Sequence, residues 1–421
     1  MSMTQTRQHN LPALRFSEFS GEWENTTLGN LMAIKSASRV HKDEWQETGI
    51  PFFRSSDVVS SYKGNGNKMA FISNDLFEQL SARSGKVKKG DVLVTGGGSI
   101  GIPYLITSDD PLYFKDADLL WFKSSGKVEG FYLYTFFLAP IFRRYVKSIS
   151  HIGTISHYTI EQARVTPINL PSLTEQQKIA SFLSSVDRKI AQLGKKKALL
   201  EQYKKGMMQK LFSQELRFKD AQGNDFPDWE EKRLGEISTS NDSGIYKKKE
   251  LYGKGRNIVG VSDLFKMDSI DGQEFRRVPL SEQELQENSL RAGDILYAES
   301  SLVRNGIAKS VYVTKKGAGT AFAWHTRRFS VDGQMANSAY VYYFLESDFA
   351  RRYIESVATQ TALTGITTKD YFKTPLLLPC QLEQEKISSI FLSVDRKIDL
   401  VSTELDHAKS FKKGLLQQMF I

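Results

Sequence analysis

Two long amphipathic segments give the chain its organisation. In the first segment, apolar residues recur in alternating steps of four and three from Ile179 to Leu211, and in the second the same steps run from Ile387 to Met419. This spacing is the seam of a coiled coil and predicts one long helix in each segment. The predicted seam consists of Ile179, Leu183, Val186, Ile190, Leu200, Met207, Leu211, Ile387, Phe391, Val394, Ile398, Leu405, Leu415 and Met419.

The same pattern also shows where the helices begin and where the seam is imperfect. Thr174 with Gln177 fits a capping box at the start of the first helix. Lys197, Lys204 and Lys412 stand on the seam, where apolar residues are expected. An amphipathic helix inside a globular core is the alternative interpretation. The length of about 38 residues for each segment favours the coiled coil, because ordinary globular helices are shorter.

The long segments belong to a repeat that covers the chain. Glu175–Ile179 recurs as Glu383–Ile387, and the two VDRKI segments and the two KKG segments recur at the same offset. The stretches before the helices open alike, with Trp23 followed by Leu28-Gly29 and with Trp229 followed by Leu234-Gly235. These repeats divide the chain into a first domain at 14–170, a long helix at 171–213, a second domain at 214–378 and a second long helix at 379–421.

Both domains are predicted to be mixed, so the fold class is α+β. Short apolar runs bounded by turn residues predict strands at 91–95, 119–122, 294–297 and 310–313, and helices are expected at 131–147 and 338–356. If the long helices pair, the connectivity requires them to run antiparallel, with a pseudo-twofold relation between two similar domains. The loops at Gly96–Ser99 and Glu299–Leu302 occupy equivalent places with unrelated residues, which indicates two domains that read different things.

Composition narrows the class of protein. The 421 residues carry a net charge of +9, which favours a polyanionic partner. The single cysteine, Cys380, excludes a disulfide framework, and the six scattered histidines show no metal-ligand spacing. We find no signal peptide and no membrane-spanning run, and we expect a soluble cytoplasmic protein.

Three short motifs bear a superficial likeness to catalytic or nucleotide-binding sequences. Gly96–Gly101 matches G-x-G-x-x-G, but a strand rather than a helix is predicted after it, so we interpret it as a flexible loop. Asp110–Tyr113 is interpreted as a turn and Glu230–Lys232 as the start of a strand. No catalytic constellation, metal site or ATP-binding loop is found, and we expect the chain not to be an enzyme.

Contact with nucleic acid is better supported, although the signal is spread over several polar loops. Arginine and asparagine make bidentate contacts with guanine and adenine, and lysine and arginine neutralise phosphates. The candidate DNA-binding residues are Arg54, Ser55, Lys63, Thr95, Gly98, Ser99, His157, Tyr297, Ser300, Arg304, Asn305, Trp324, His325, Arg327 and Lys369.

With these segments, the chain resembles the specificity subunit of Type I restriction–modification enzymes over nearly its whole length. The residues that carry the resemblance are the two tryptophan-containing openings, the EQQKI and EQEKI segments, and the paired VDRKI and KKG segments. The duplicated order, a variable domain followed by a long helix, is the specific part of the match.

The resemblance implies two target-recognition domains, each reading one half of a bipartite sequence in double-stranded DNA. It implies that the helices set the spacing of the half-sites and dock two methyltransferase subunits, and through them the restriction subunits. S-adenosylmethionine, ATP and Mg would then belong to the partner subunits, with no cofactor in this chain. The alternative hypothesis is a coiled-coil scaffold with two ligand-binding modules and no DNA role. An enzyme is the third hypothesis.

Overall fold

The structure is a computed structural model that describes residues 11–116, 118–149, 157–360 and 363–421. It divides into two compact units. Unit 1 comprises the residues up to Gly194 together with Thr403–Ile421, and unit 2 comprises Lys195–Ser402. Each unit therefore contains one globular body and part of both long helices.

Unit 1 contains two small sheets and one two-stranded sheet. The strand orders are β2-β8-β5-β6, β4-β3-β7 and β1-β9. Its strands and helices are β1 Glu24–Thr27, α1 Leu28–Leu31, β2 Ile34–Lys35, β3 Ile50–Phe53, α2 Ser55–Lys63, β4 Ala70–Ile72, α3 Asn74–Ser84, β5 Val92–Thr95, β6 Pro103–Leu105, β7 Tyr113–Phe114, β8 Leu119–Phe122, α4 Gly130–Leu138, α5 Pro140–Ile149, α6 Ile160–Arg164 and β9 Pro167–Leu170.

Unit 2 has the same plan with one additional small sheet. The strand orders are β11-β19-β15-β17-β13, β14-β12-β18, β16-β21-β20 and β10-β22. Its elements are β10 Glu230–Arg233, β11 Ser238–Ser243, β12 Arg256–Val259, α8 Val261–Leu264, β13 Ser269–Ile270, β14 Arg276–Val278, α9 Glu282–Asn288, β15 Ile295–Ala298, β16 Ser300–Ser301, β17 Ser310–Val313, β18 Ala321–Phe322, β19 Thr326–Val331, α10 Ser338–Leu345, α11 Asp348–Val357, β20 Thr359–Gln360, β21 Thr364–Gly365, α12 Thr368–Tyr371 and β22 Pro375–Leu378.

The central strands β5 and β15 are buried along their whole length. Strands covered on both faces read as continuous apolar runs, which is why the sequence revealed them. The four predicted strands are confirmed to within one residue at each end. The mixed α/β character of both bodies and their repetition are confirmed as well.

Each helix predicted at 131–147 and 338–356 is in fact two helices, so both predictions of a single helix were wrong. The break between α4 and α5 falls at Ala139-Pro140, where Pro140 lacks the amide hydrogen that would continue the helix and holds Ala139 extended, with ψ of 147°. The break between α10 and α11 falls at Ser347, whose hydroxyl caps the second helix by accepting from the Ala350 amide.

The two long segments are the helices α7, Leu173–Phe212, and α13, Gln381–Gln418. The predicted capping box was wrong, because α7 starts before Thr174 and the Ser172 hydroxyl accepts from the Glu175 amide at 3.3 Å. The predicted seam residues are all buried or half-buried.

Each unit buries parts of both long helices in its core. The core of unit 1 includes Ile179 and Leu183 of α7 with Leu415 and Met419 of α13. The core of unit 2 includes Leu211 and Phe212 of α7 with Ile387 and Phe391 of α13. Burying these side chains stabilises each unit by roughly 1.5–3 kcal/mol per residue.

Two of the three lysines on the predicted seam have partners on the other long helix, whereas Lys197 lies 3.8 Å from Glu201 on its own helix. In unit 1, Lys412 lies 2.5 Å from Asp187, and in unit 2, Lys204 lies 2.7 Å from Asp395. The aspartates are the second residues of the two VDRKI segments, and the lysines begin the two KKG segments. The paired motifs therefore meet each other, which explains why Lys204 and Lys412 occur on the predicted seam.

A buried glutamate fixes the start of each long helix to its unit. Arg15 donates two hydrogen bonds to Glu175, at 2.7 and 2.8 Å, and the Trp23 indole donates a third at 3.3 Å. In unit 2, Arg217 and Trp229 donate to Glu383 at 2.9 Å each. In each unit, the repeated tryptophan therefore donates to the glutamate of the repeated Glu-Gln segment.

The glutamine after each glutamate connects the long helix to an apolar helix of the unit. The Gln176 side chain accepts from the Glu129 amide at 2.9 Å, and the Gln384 side chain accepts from the Asn337 amide at 2.7 Å. Glu129 and Asn337 are the N-caps of α4 and α10. These contacts fix the globular body on the long helix.

Candidate nucleic-acid interface

A loop follows the central strand of each unit, and main-chain hydrogen bonds hold its root. In unit 1 the Gly96 amide donates to the Asp118 carbonyl at 2.9 Å, and the Tyr158 amide donates to the Gly96 carbonyl at 2.8 Å. Asp118 directly precedes β8, and Tyr158 lies two residues before α6. The loop therefore leaves the sheet between two fixed elements.

Unit 2 repeats this arrangement with other residues. The Glu299 amide donates to the His325 carbonyl at 3.1 Å, and the Ile366 amide donates to the Glu299 carbonyl at 3.4 Å. His325 directly precedes β19, and Ile366 lies two residues before α12. Main-chain bonds of this kind form with almost any side chain. The two units therefore share a frame that carries unrelated loops.

In unit 1 three of the predicted contact residues lie together on the surface. Gly98 and Ser99 are exposed at the loop tip, and Gly98 has a φ of +66°, which favours glycine. His157 is exposed beside the loop, since a Cβ on Gly97 would lie 3.5 Å from its Nδ1. The loop tip and the imidazole form one polar surface.

Thr95 has a different place from these three. Its side chain is fully buried, and its hydroxyl donates to the Ser99 carbonyl and accepts from the Ile102 amide at 2.8 Å. Thr95 thus shapes the glycine loop from within the unit.

The predicted residues on α2 divide in the same way. Arg54 donates from Nε and Nη2 to Asp57 at 2.7 and 2.9 Å and also to the Lys68 carbonyl at 2.7 Å. The Asp57 hydrogen bond raises the pKa of Arg54 above its ordinary value. Ser55 is half-buried in the first turn of α2, whereas Lys63 is exposed at its end. Of the three, Lys63 is best placed to meet a phosphate.

In unit 2 the loop after β15 is tied to helix α11. Arg304 donates from Nε and Nη2 to the Glu355 carbonyl at 3.0 and 2.9 Å. Ser300 pairs with Gly365 in the small sheet, and Asn305 is exposed. Arg304 is exposed as well, but its guanidinium contributes to the loop's structure.

Two apolar side chains of this loop lie in solvent, and sequence reasoning missed them. Leu302 is 84% exposed and Val303 is 57% exposed. An apolar side chain held this far out on a fixed loop suits contact with an apolar ligand group such as the C5-methyl of thymine. Two apolar residues inside a predicted polar loop were the available signal.

Beside this loop stands an exposed aromatic cluster. The rings of Trp324 and His325 stack with centroids 4.0 Å apart, and Tyr246 meets Trp324 edge-on at 5.5 Å. Trp324 is 49% exposed and Tyr246 is 64% exposed. His325 has a φ of +68°, unusual for a side chain of this size. The sequence singled out the first two rings, while Tyr246 was missed because it is distant in sequence.

Arg327 belongs to a polar group under the cluster. Its Nε donates to the Asn241 side chain at 3.0 Å, and its Nη1 donates to Glu299 at 3.1 Å. Tyr297 is buried, stacks on Tyr371 with ring centroids 4.1 Å apart, and has its pKa raised by burial. Asn241 and Glu299 were missed by sequence reasoning, because neither lies in a recognisable motif.

Most of the predicted contact residues face solvent in the structure, and the remainder, Arg54, Ser55, Thr95, Tyr297, Ser300 and Arg327, are buried or half-buried. The exposed ones are Lys63, Gly98, Ser99, His157, Arg304, Asn305, Trp324, His325 and Lys369. Residues 151–156 and 361–362 lie outside the described part of the chain.

The described residues offer no arrangement of three or more histidine, cysteine, aspartate or glutamate side chains that would hold a metal ion. Over the same part of the chain, no helix has the length and apolarity needed to cross a membrane. The loops instead carry hydroxyl, amide, guanidinium, imidazole and aromatic groups. These groups bind by hydrogen bonding and stacking.

Comparison with known proteins adds a family. A family model described as the Type I restriction modification DNA specificity domain matches residues 20–202 and again residues 227–410. The MjaVIII specificity subunit, a type I restriction enzyme subunit of Methanocaldococcus jannaschii, is 25% identical over 302 residues, which cover 68% of each chain. A Haemophilus influenzae protein assigned as a specificity subunit of a type I restriction enzyme is 28% identical over 163 residues.

The aligned region covers 38% of this chain and 39% of the Haemophilus relative. The crystal structure of the S subunit of a type I restriction–modification system from M. genitalium has the same fold. It matches with a TM-score of 0.62 and 17% identity over 98% of this chain and 99% of that one. Because the family model matches both halves of the chain, the protein belongs to the family of Type I restriction–modification DNA specificity proteins.

Proposed function

We propose that this chain gives a Type I restriction–modification complex its DNA sequence specificity, with each unit reading one half of a bipartite target. The observation that carries the proposal is the repeated loop root. Both units hold a surface loop with equivalent main-chain bonds, yet one loop presents Gly98 and Ser99 while the other presents Leu302 and Asn305. A fixed frame with different contact groups suits two readers of different sequences.

The contacts are expected to divide by chemistry. Exposed lysines such as Lys63 and Lys369 hold phosphates and give a salt-dependent affinity that is the same for every sequence. Loop side chains and main-chain groups meet the base edges and discriminate between bases. Thr95, Arg54 and Arg327 keep those groups in place through their internal hydrogen bonds.

The long helices set the distance between the half-sites in this proposal. We infer that they pair as an antiparallel coiled coil along the predicted seam. Two observations, each within one unit, support this arrangement: the start of α7 packs with the end of α13 in unit 1, and the end of α7 packs with the start of α13 in unit 2. The Lys–Asp pairs join the same helices.

The chemistry of the complex is assigned to other subunits. Two methyltransferase subunits would dock on the outer faces of the long helices, and the restriction subunits would join through them. The equivalent exposed rings of Tyr203 and Phe411, 53% and 56% exposed, are suitable contact points. Methyl transfer from S-adenosylmethionine and Mg-dependent ATP hydrolysis would take place on those partners, and this chain would act without a cofactor of its own.

The test is to assemble the chain with its methyltransferase subunit and to map the methylated adenines in DNA exposed to the complex. Replacing residues 236–377 with the corresponding segment of another family member should change one half-site and leave the other. A change in both half-sites would contradict the two-reader assignment. Methylation at the same sites without this chain would favour the scaffold alternative.

Inserting seven residues into each long helix tests the role of the helices. The insertion lengthens each helix by about 10.5 Å and should lengthen the tolerated spacer between the half-sites. Insertion into only one helix serves as the control, because it disturbs the pairing without extending both. An unchanged spacer after the double insertion would show that the helices do not set the spacing.

A further inference from the structure

One arginine in each unit reaches from a helix to the loop that follows the central strand. Arg143 of α5 donates from Nη1 to the Ile100 carbonyl at 3.2 Å. Arg351 of α11 donates from Nη2 to the Asn305 carbonyl at 3.1 Å. The two residues hold the same place in repeated Arg-Arg-Tyr segments. The same contact is therefore made in two loops whose residues differ up to a shared Gly-Ile pair, Gly101-Ile102 and Gly306-Ile307.

In unit 1 the loop is pressed against the helix that carries its arginine. Gly101 has a φ of +73°, and a Cβ at this position would lie 2.9 Å from the Phe142 ring and 3.5 Å from the Arg143 guanidinium. The guanidinium is half-buried, and burial lowers the pKa of Arg143 from its ordinary value. A side chain in this position is directed to the loop backbone and away from open solvent.

In unit 2 the connection runs in both directions. Arg351 binds the loop carbonyl, and Arg304 of the loop donates twice to the Glu355 carbonyl of α11. Arg351 also lies 3.6 Å from the Glu355 carboxylate. The loop that presents Leu302 is thus fixed at its root by main-chain bonds and at its far end by two guanidinium groups.

We propose that Arg143 and Arg351 are positioning residues for specificity, each holding the loop that reads its own half-site. The inference rests on the proposed function. Base discrimination requires contact groups to be held within about 0.5 Å of their productive geometry, whereas phosphate attraction tolerates a looser surface. Releasing the far end of one loop therefore weakens discrimination in one half-site more than it weakens overall affinity.

The neighbouring arginines provide matched controls. Arg144 and Arg352 carry the same charge one position further along the same helices, and both are exposed. Arg352 donates to the Asp348 carbonyl within its own helix. Removing either side chain deletes one positive charge from the unit and leaves the Arg143 or Arg351 contact in place.

The experiment uses the full chain assembled with its methyltransferase subunits and a library of DNA duplexes with both half-sites randomised. Bound duplexes are selected and sequenced at two salt concentrations. Arg143→Ala should reduce the preference for the favoured base about tenfold at one or more positions of one half-site, equivalent to about 1.4 kcal/mol, and Arg351→Ala should do so in the other half-site. Arg144→Ala and Arg352→Ala should reduce binding to all sequences alike.

Several results would overturn the proposal. It fails if Arg143→Ala weakens all sequences equally, or if it alters both half-sites. The unaltered half-site in each variant shows that the complex is folded and assembled, and Arg143→Lys, which retains a donor, should recover part of the lost preference. If the wild-type complex selects no half-sites at all, the proposed function itself is wrong and the positioning role falls with it.

Discussion

The buried glutamate at the start of each long helix should be among the most sensitive positions of its unit. The Glu175 side chain is 2% exposed and accepts three hydrogen bonds, two from Arg15 and one from Trp23. Glu175→Ala removes all three and leaves a guanidinium that is only 16% exposed without its carboxylate. Breaking a buried pair costs 3–5 kcal/mol; since Arg15 retains some solvent, we expect a loss of about 3 kcal/mol.

The measurement is chemical denaturation of the full chain, followed by fluorescence and circular dichroism. Glu175→Ala should lower the free energy of unfolding of unit 1, and Glu383→Ala should lower that of unit 2 by a similar amount, because Arg217 and Trp229 donate to it in the same way. Glu201→Ala is the control on the same helix. Its ion pair with Lys197 is long, at 3.8 Å, and exposed, so we expect a loss below about 0.5 kcal/mol.

Equal losses of stability in Glu175→Ala and Glu201→Ala would contradict this prediction. That outcome would mean that the buried glutamate contributes no more to the free energy of unfolding than an exposed one does. Glu175→Gln adds a finer comparison, because it retains an acceptor for Trp23 but loses the charge that faces Arg15. We expect it to fall between the wild type and Glu175→Ala.

Three further predictions concern the loops and the helix pair. Replacing thymine by deoxyuridine in the half-site of unit 2 should weaken wild-type binding about fourfold, from about 0.8 kcal/mol per buried methyl group, and should affect Leu302→Ala less, as measured by binding titration. Gly101→Ala should destabilise unit 1 by more than about 1 kcal/mol in thermal denaturation, whereas Gly98→Ala, with open space around it, should carry only the backbone strain of about 1 kcal/mol. Asp187→Leu alone should destabilise unit 1, because it leaves Lys412 without its carboxylate, and adding Lys412→Leu should recover most of the loss in the same assay, because the double variant removes the unpaired lysine.

The parts of the fold that the sequence predicted are those governed by strong periodicity. The long helices followed from four-three spacing, and β5 and β15 followed from unbroken apolar runs. The repeated segments gave the order of the two bodies. These signals are robust because a helix or a buried strand constrains every residue along its length.

The failures lie where one residue decides the outcome. Pro140 divides a predicted helix by a local steric effect, and Ser172 rather than Thr174 caps the first long helix. The contact of Arg54 with DNA stays a prediction, but the sequence did not indicate that its guanidinium donates to Asp57 three residues away. Sequence gives the type of a side chain; whether that side chain faces a ligand or a neighbour depends on tertiary contacts.

The candidate interface shows the same division between frame and content. The repeated segments indicated the scaffold of the interface. Tyr246, Asn241 and Leu302 were missed because their roles depend on the residues that surround them in the folded protein. Tyr246 reaches Trp324 across a β-bridge between Ile245 and Ala323, a contact between residues far apart in sequence.

This division has a consequence for how specificity can change. The root of each loop is held by main-chain amides and carbonyls, which do not depend on the loop's side chains. The loop tips can therefore be altered with little effect on folding, provided that Thr95 and Arg143 in unit 1 and Arg351 in unit 2 remain. Since each loop is anchored within its own unit, a change in one tip leaves the other undisturbed. Under the proposed function, one unit of such a chain can change the half-site that it reads while the other unit keeps its own.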